Sequence, residues 1–251
     1  KEMIQNLKIG IVGYGNVGSH LANRLASIGL SPTVVVSSSA NDDSLNIVRS
    51  ISEISTELDL CFATVADDQI PSVFQELKGK AVSPIHCSGA TPLQTDVQSS
   101  GVLYPFQSFT KEFDVDWKGI PLFIESDDPT LQATLLELGK ELSGNAMRAT
   151  SKDRMKIHLA GVIGNNFTNH LLHLSSELLK DSGQDFEVIR PLINETIRKA
   201  FAIDPQQAQT GPAKRGDQAL INSQVEMLEA HPALKKLYLD VVSSIQANNN
   251  P

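Results

Sequence analysis

Residues 7–18, LKIGIVGYGNVG, constrain this chain more than any other stretch. An apolar run, Leu7 to Val12, meets Gly13, Gly15 and Gly18 in the spacing G-x-G-x-x-G, and helix-like sequence follows from Ser19 to Ile28. Each glycine answers a separate physical need. Gly13 allows the tight turn out of a strand, Gly15 keeps side-chain atoms away from a diphosphate, and Gly18 lets the helix pack closely on the sheet. The helix start adds unpaired N–H groups and about half a positive charge. The amides of Tyr14, Asn16 and Val17 therefore complete a dinucleotide cradle. The alternative is a strand–helix turn that binds nothing.

An NAD site usually places Asp or Glu about 20 residues further on, where it holds the ribose 2′-OH. Here the second strand, Thr33–Val36, ends in Ser37, Ser38 and Ser39. No carboxylate stands there to repel a 2′-phosphate, and hydroxyls can donate to one, so NADP is favoured over NAD. The arginine usual at such sites is missing nearby, and Asp42 and Asp43 follow closely, which moderates that preference. The serines would also serve as a plain polar turn.

The first 150 residues alternate strand and helix signals, as a doubly wound parallel sheet does. A short helix is expected around Asn41–Ser50, a buried strand at Leu58–Val65, a helix from Ile70 to Leu77 and a strand at Lys80–His86. Extended segments at Gly101–Thr110 and Ile120–Glu125, a helix at Thr130–Leu142 and a strand at Asn145–Ala149 complete the layer. Ligands on such sheets bind beyond the carboxyl ends of the strands. The turns containing Ala66, Ser88 and Gly89 therefore belong beside the nicotinamide half of the cofactor. From Ser151 onward only helical periodicity remains, broken by Gly183, Pro191, Pro205, Gly211-Pro212 and Pro232. The fold class is thus α/β: a Rossmann-type, mostly parallel sheet over residues 1–150, followed by a smaller all-helical domain over 151–251.

A chain of 251 residues can bury about 70–75% of its unfolded surface, enough for two modest domains. Its net charge of -8 argues against nucleic acid or an anionic membrane as partner. No apolar run approaches a membrane span, and no signal-peptide pattern is present. Cys61 and Cys87 stand in strand-like segments and no metal-ligand spacing occurs, so they read as reduced core residues of a cytoplasmic protein. A reactive thiol at Cys87, beside the Ser88-Gly89 turn, is the alternative.

A single helix is expected over Met155–Lys180. On a 100° wheel Ala160, Ile163, Phe167, Leu171, Leu174 and Leu178 share one side, and His158, Asn165, Asn166, Asn169 and His173 the other. A solvated face would carry Lys and Glu, which favour helix, whereas Asn disfavours it. The stripe therefore suggests hydrogen bonding, either in a substrate cleft between the domains or across a helix–helix or dimer interface. Hydride transfer to a carbonyl or imine needs a proton donor, and His158 can serve near neutral pH. In the loop Thr210–Asp217, TGPAKRGD, Arg215 suits a carboxylate or phosphate, unless its charge simply faces water.

The motifs GYGNVG (13–18), HCSGA (86–90), LYPFQSF (103–109), HLAGVIGNNFTNHL (158–171) and TGPAKRGD (210–217) give the chain a wider resemblance. It resembles the family of inferred NADP oxidoreductases with an N-terminal Rossmann-like domain and a C-terminal domain of unknown function. That family is similar in architecture to pyrroline-5-carboxylate reductase, ketopantoate reductase and the β-hydroxyacid dehydrogenases. The resemblance implies an NADP-type Rossmann domain, a helical domain that often dimerises, and a cleft between them. It points to Gly13, Gly15 and Gly18 for the cofactor, to His158 and Asn166 in the helix motif, and to Arg215 in the loop. In the β-hydroxyacid dehydrogenases a catalytic lysine lies one turn before an asparagine. Here Val162 stands one turn before Asn166, so lysine chemistry is not carried over. The expectation is an NADP-dependent oxidoreductase acting on a small carbonyl, imine or hydroxyacid, as a homodimer. Its alternative is a non-catalytic NADP(H)-binding sensor or scaffold.

Overall fold

The computed structural model describes residues 4–248. Strand β1 (Ile9–Val12) is buried along its whole length, as a strand covered on both faces must be. Helix α1 (Asn16–Ser27) follows, then β2 (Val34–Val36), β3 (Ile47–Val48), β4 (Leu58–Ala63), α2 (Ile70–Glu76), β5 (Ala81–His86), β6 (Gly101–Pro105), β7 (Leu122–Ser126), α3 (Pro129–Ser143) and β8 (Ala146–Arg148). The strands form one sheet in the order β3-β2-β1-β4-β5-β6-β7-β8. All pairings are parallel except β6 with β7. The chain winds from β1 to β3 on one side and returns to β4 on the other. That reversal is where open α/β sheets bind ligands. Two apolar clusters fill the sheet's faces, one around Ile9, Leu25, Leu103 and Leu135 and the other around Val34, Leu58, Phe74 and Leu77.

Two expected elements differ. The Asn41–Ser50 helix is absent, and the segment makes a turn followed by β3, whose Ile47 and Val48 pair with Val35 and Val36. Asp42 Oδ1 accepts from the Ser44 amide at 3.0 Å and from its hydroxyl, and such local bonds compete with helix. The Met155–Lys180 helix is interrupted. Helix α4 (Ser151–Gly161) passes through a π-helical turn, Val162–Phe167, into α5 (Thr168–Asp181). Its i→i+5 bonds take in an extra residue, so positions before and after it do not share one 100° wheel. The stripe from His158 to His173 is therefore broken at its midpoint. Ile163, Phe167 and Leu171, which share the apolar side of that wheel, are exposed.

The chain divides into compact units between Gly164 and Asn165. The first contains the sheet and α4. The second contains α5, α6 (Arg190–Ile203), α7 (Pro205–Ala208), α8 (Pro212–Arg215), α9 (Gln218–Met227) and α10 (Pro232–Ala247). Among its described residues there is no strand. No described helix is long and apolar enough to cross a membrane.

Candidate functional site

The glycine turn sits at the reversal of the sheet. Gly13 has φ +97, and a Cβ there would lie 2.8 Å from the Thr64 carbonyl oxygen. The turn is pinned by the Thr64 hydroxyl, which donates to the Gly13 carbonyl at 2.9 Å, and by the Gly13 amide, which donates to that of Val36. A Cβ on Gly18 would lie 2.2 Å from the Gly13 oxygen. Both glycines are thus required by the fold. Gly15 is different: its φ is -82 and a Cβ there meets nothing within 4 Å. Neither backbone conformation nor packing demands glycine at the head of α1. What remains is room for a ligand close to the helix amides, and these residues fit a dinucleotide diphosphate.

Other predicted cofactor residues share this edge of the sheet. Ser37–Ser39 follow β2, Ala66 follows β4, and Ser88 and Gly89 follow β5. The segment after β6 also arrives here, which the sequence reading missed. The Lys111 amide donates to Asn16 Oδ1 at 3.1 Å, and its ammonium lies 5.2 Å from the centre of the Tyr14 ring. His20 meets the Thr110 carbonyl at 3.0 Å. Only long-range folding brings residues 110–111 to this turn.

A second cluster lies within the first unit, at the β5 loop. Helix α4 begins with Thr150 as cap, its hydroxyl accepting from the Asp153 amide. The fully buried Arg154 then donates from Nε to the Ser88 carbonyl, from Nη2 to that of Thr91, and from Nη1 to Glu125 on β7. Glu125 also accepts from the Ser151 amide at 2.7 Å. The Ser88–Thr91 loop is therefore clamped to α4. His158 is one turn beyond Arg154 on the same face. Its Nδ1 lies 3.0 Å from the hydroxyl of Tyr104 on β6. A Cβ on Gly89 would lie 2.6 Å from the Tyr104 ring and 2.7 Å from His158 Nδ1, so only glycine fits against this pair. Burial raises the Tyr104 pKa, keeping the phenol protonated and able to donate. The Tyr104 hydroxyl can donate to Nδ1 of the neutral ring or accept from Nδ1–H of the protonated one, so it holds the His158 ring in either form.

Below the loop, His86 is buried as a neutral ring: its Nδ1 accepts from the Ser88 amide and its Nε2 meets the Pro92 carbonyl. Burial, and then the Arg154 charge, push its pKa down to about 4. Cys61 and Cys87 are free and buried, and burial pushes both thiols up to about 12. The thiolate that a reactive Cys87 would need is thus disfavoured.

Asn166 and Arg215 belong to the second unit and are exposed. Asn166 Oδ1 accepts from Asn165 at 3.1 Å. Arg215 ends α8, and Asp217 caps α9 by accepting from the Leu220 amide. The neighbouring Thr210, Pro212 and Ala213 line an apolar cavity of about 340 Å³ with Leu171, Tyr238 and Val242.

The fold has counterparts in known proteins. The profile of DUF2520, a domain of unknown function, matches residues 120–245. The BF3122 protein of Bacteroides fragilis, a candidate NADP oxidoreductase by its name, is 32% identical over 97% of this chain and 99% of its own, with a TM-score of 0.91. The chain belongs to the DUF2520 family. Thermotoga maritima TM1727 shares the fold at a TM-score of 0.71 and 22% identity, covering 96% of this chain and 98% of its own. So does Plasmodium falciparum pyrroline carboxylate reductase, solved with NADP bound, at a TM-score of 0.60 and 14% identity over 98% of this chain and 100% of its own. Among proteins of curated function none matches this DUF2520 chain in sequence.

Proposed function

We propose that this DUF2520 protein is an NADP-dependent oxidoreductase that moves a hydride between nicotinamide and a small carbonyl, imine or hydroxyacid. The open space at Gly15 carries this reading, because it is the one glycine of the turn that the fold itself does not require. The names of BF3122 and of the Plasmodium reductase support it. The bound cofactor supplies or accepts the hydride. The chain's residues do the rest: the amides of Tyr14–Val17 hold the diphosphate, Ser37–Ser39 meet the 2′-phosphate, and Ala66, Ser88 and Gly89 border the nicotinamide. His158, held by Tyr104, would act as its imidazolium: Nδ1–H donates to the Tyr104 oxygen while Nε2–H is transferred to the nascent oxyanion or amide anion, leaving the neutral ring. Asn166 orients the acceptor and Arg215 holds an acidic group of the substrate, roles assigned from sequence and resemblance.

The second unit exposes large apolar side chains, with Phe201 89%, Met227 77% and Leu192 66% accessible. Burying such side chains favours association, and the protein is proposed to work as a homodimer in the reducing cytoplasm. A light-scattering mass of two chains is the expected result, and a mass of one chain would remove the dimer.

The test is NADPH consumption over small keto acids, imines and hydroxyacids, repeated with Gly15→Asp. Turnover that vanishes in the variant supports the oxidoreductase. Val162, standing where related enzymes carry lysine, favours a second reading, a sensor that binds NADP(H) without turnover. Tight NADPH binding with no turnover would select it, and no binding at all would end both.

A further inference from the structure

The loop after β2 is braced by an arginine that follows the neighbouring strand. Because β3 runs parallel to β2, with Val48 opposite Val36, the next residue, Arg49, arrives beside Ser37 at the ligand edge of the sheet. Its Nη1 donates to the carbonyls of Ser37 at 3.1 Å and Ala40 at 2.8 Å, and its Nη2 to Asn41 Oδ1 at 2.9 Å. A guanidinium has five N–H donors, so two stay uncommitted.

These bonds draw the loop's acceptors toward Arg49. The Ala40 amide turns onto Ser37 Oγ at 3.1 Å, closing the turn. Ser38 and Ser39 are exposed, and their amides and hydroxyls make no hydrogen bond among the described residues. Consecutive free amides, two hydroxyls and an adjacent guanidinium are the donor set of a phosphate nest. Two carboxylates lie close by. Asp42, which could instead grip a ribose diol, already accepts from the Ser44 amide, the Ser44 hydroxyl and the Tyr14 hydroxyl, three of its roughly four acceptor sites. Glu53 accepts from the Ser50 hydroxyl at 2.9 Å and the Arg49 amide at 3.5 Å.

We propose that Arg49 selects the 2′-phosphorylated dinucleotide, shaping Ser37–Asn41 into an anion nest and supplying its positive charge. This rests on the dinucleotide reading of the glycine turn. Calorimetry of the wild-type chain, Arg49→Met and Arg49→Lys with NADPH, NADH, 2′-AMP and 5′-AMP tests it. Wild type should prefer NADPH to NADH and 2′-AMP to 5′-AMP. Arg49→Met should weaken NADPH and 2′-AMP by about tenfold to a hundredfold while NADH changes by less than about threefold, with Arg49→Lys between. Equal weakening of NADPH and NADH would reduce Arg49 to a loop brace and overturn the proposal, as would an unchanged NADPH affinity. A wild type that prefers NADH overturns the selection while leaving the cofactor reading standing. A wild type that binds neither dinucleotide overturns both.

Discussion

The Tyr104 hydroxyl meets His158 Nδ1 at 3.0 Å, joining β6 to α4 against the face of Gly89. This pair gives the proposed proton donor a fixed ring orientation, which a lone helix histidine would lack. Its two members should act as a unit. Tyr104→Phe and His158→Gln should each lower kcat at least about tenfold with little change in NADPH affinity. The double variant should be hardly worse than the more impaired single variant. Rates measured on any substrate found by the screen, alongside NADPH Kd values, check this; fully additive losses would separate the two residues.

The glycine turn predicts opposite outcomes for neighbouring substitutions. Gly18→Ala forces a methyl group to within 2.2 Å of a backbone oxygen and should destabilise the fold by about 1–3 kcal/mol. Gly15→Ala meets no protein atom and should cost less than about 1 kcal/mol, as a change of helix cap, yet weaken NADPH binding. Denaturant midpoints paired with calorimetry decide between them.

Arg154 is 0% exposed and Glu125 17%, so their ion pair is shielded from solvent. Arg154→Met leaves Glu125 partly buried without its cation and strands the Ser88 and Thr91 carbonyls. A loss of about 3 kcal/mol or more in unfolding free energy is expected. Because the same arginine holds the Ser88–Thr91 loop, amide exchange should rise there before it rises in β1.

His86 predicts an acid-labile window. Its folded pKa is depressed from 6.5 to about 4, so between those values the unfolded chain takes up a proton that the folded chain does not. Stability should therefore fall as pH drops through 6.5 toward 4, by roughly 3 kcal/mol from this group, and level off below. His86→Asn should flatten that part of the Tm–pH curve. A slope unchanged by the substitution would show that other groups set it.

Much of this protein follows from local pattern. A buried run that meets three spaced glycines can only become a strand, a tight turn and a packed helix. The strand ends at Ser37, Ala66 and Ser88 fall on one edge because parallel strands all point the same way. Likewise the loss of strand signals after Ser151 marks the helices. The structure differs from local pattern where turn hydrogen bonds, strand pairing or a change of helical pitch override helical periodicity. Asn41–Ser50 has helical periodicity, but Asp42 turns the chain and β2 recruits Ile47 and Val48 as a strand. The π-turn at Val162–Phe167 rotates one helical face against another, which no 100° wheel anticipates.

Sequence alone therefore determined the Rossmann-type alternation of strand and helix and the place of the glycine turn, since both depend on residues adjacent in the chain. Tertiary structure alone decided that Arg49 braces the Ser37 loop, that Arg154 clamps Ser88 and Thr91, and that Tyr104 faces His158. Those partners are separated by 12, 66 and 54 positions. Their meeting is set by strand pairing and helix docking, which one residue's neighbours in sequence do not encode.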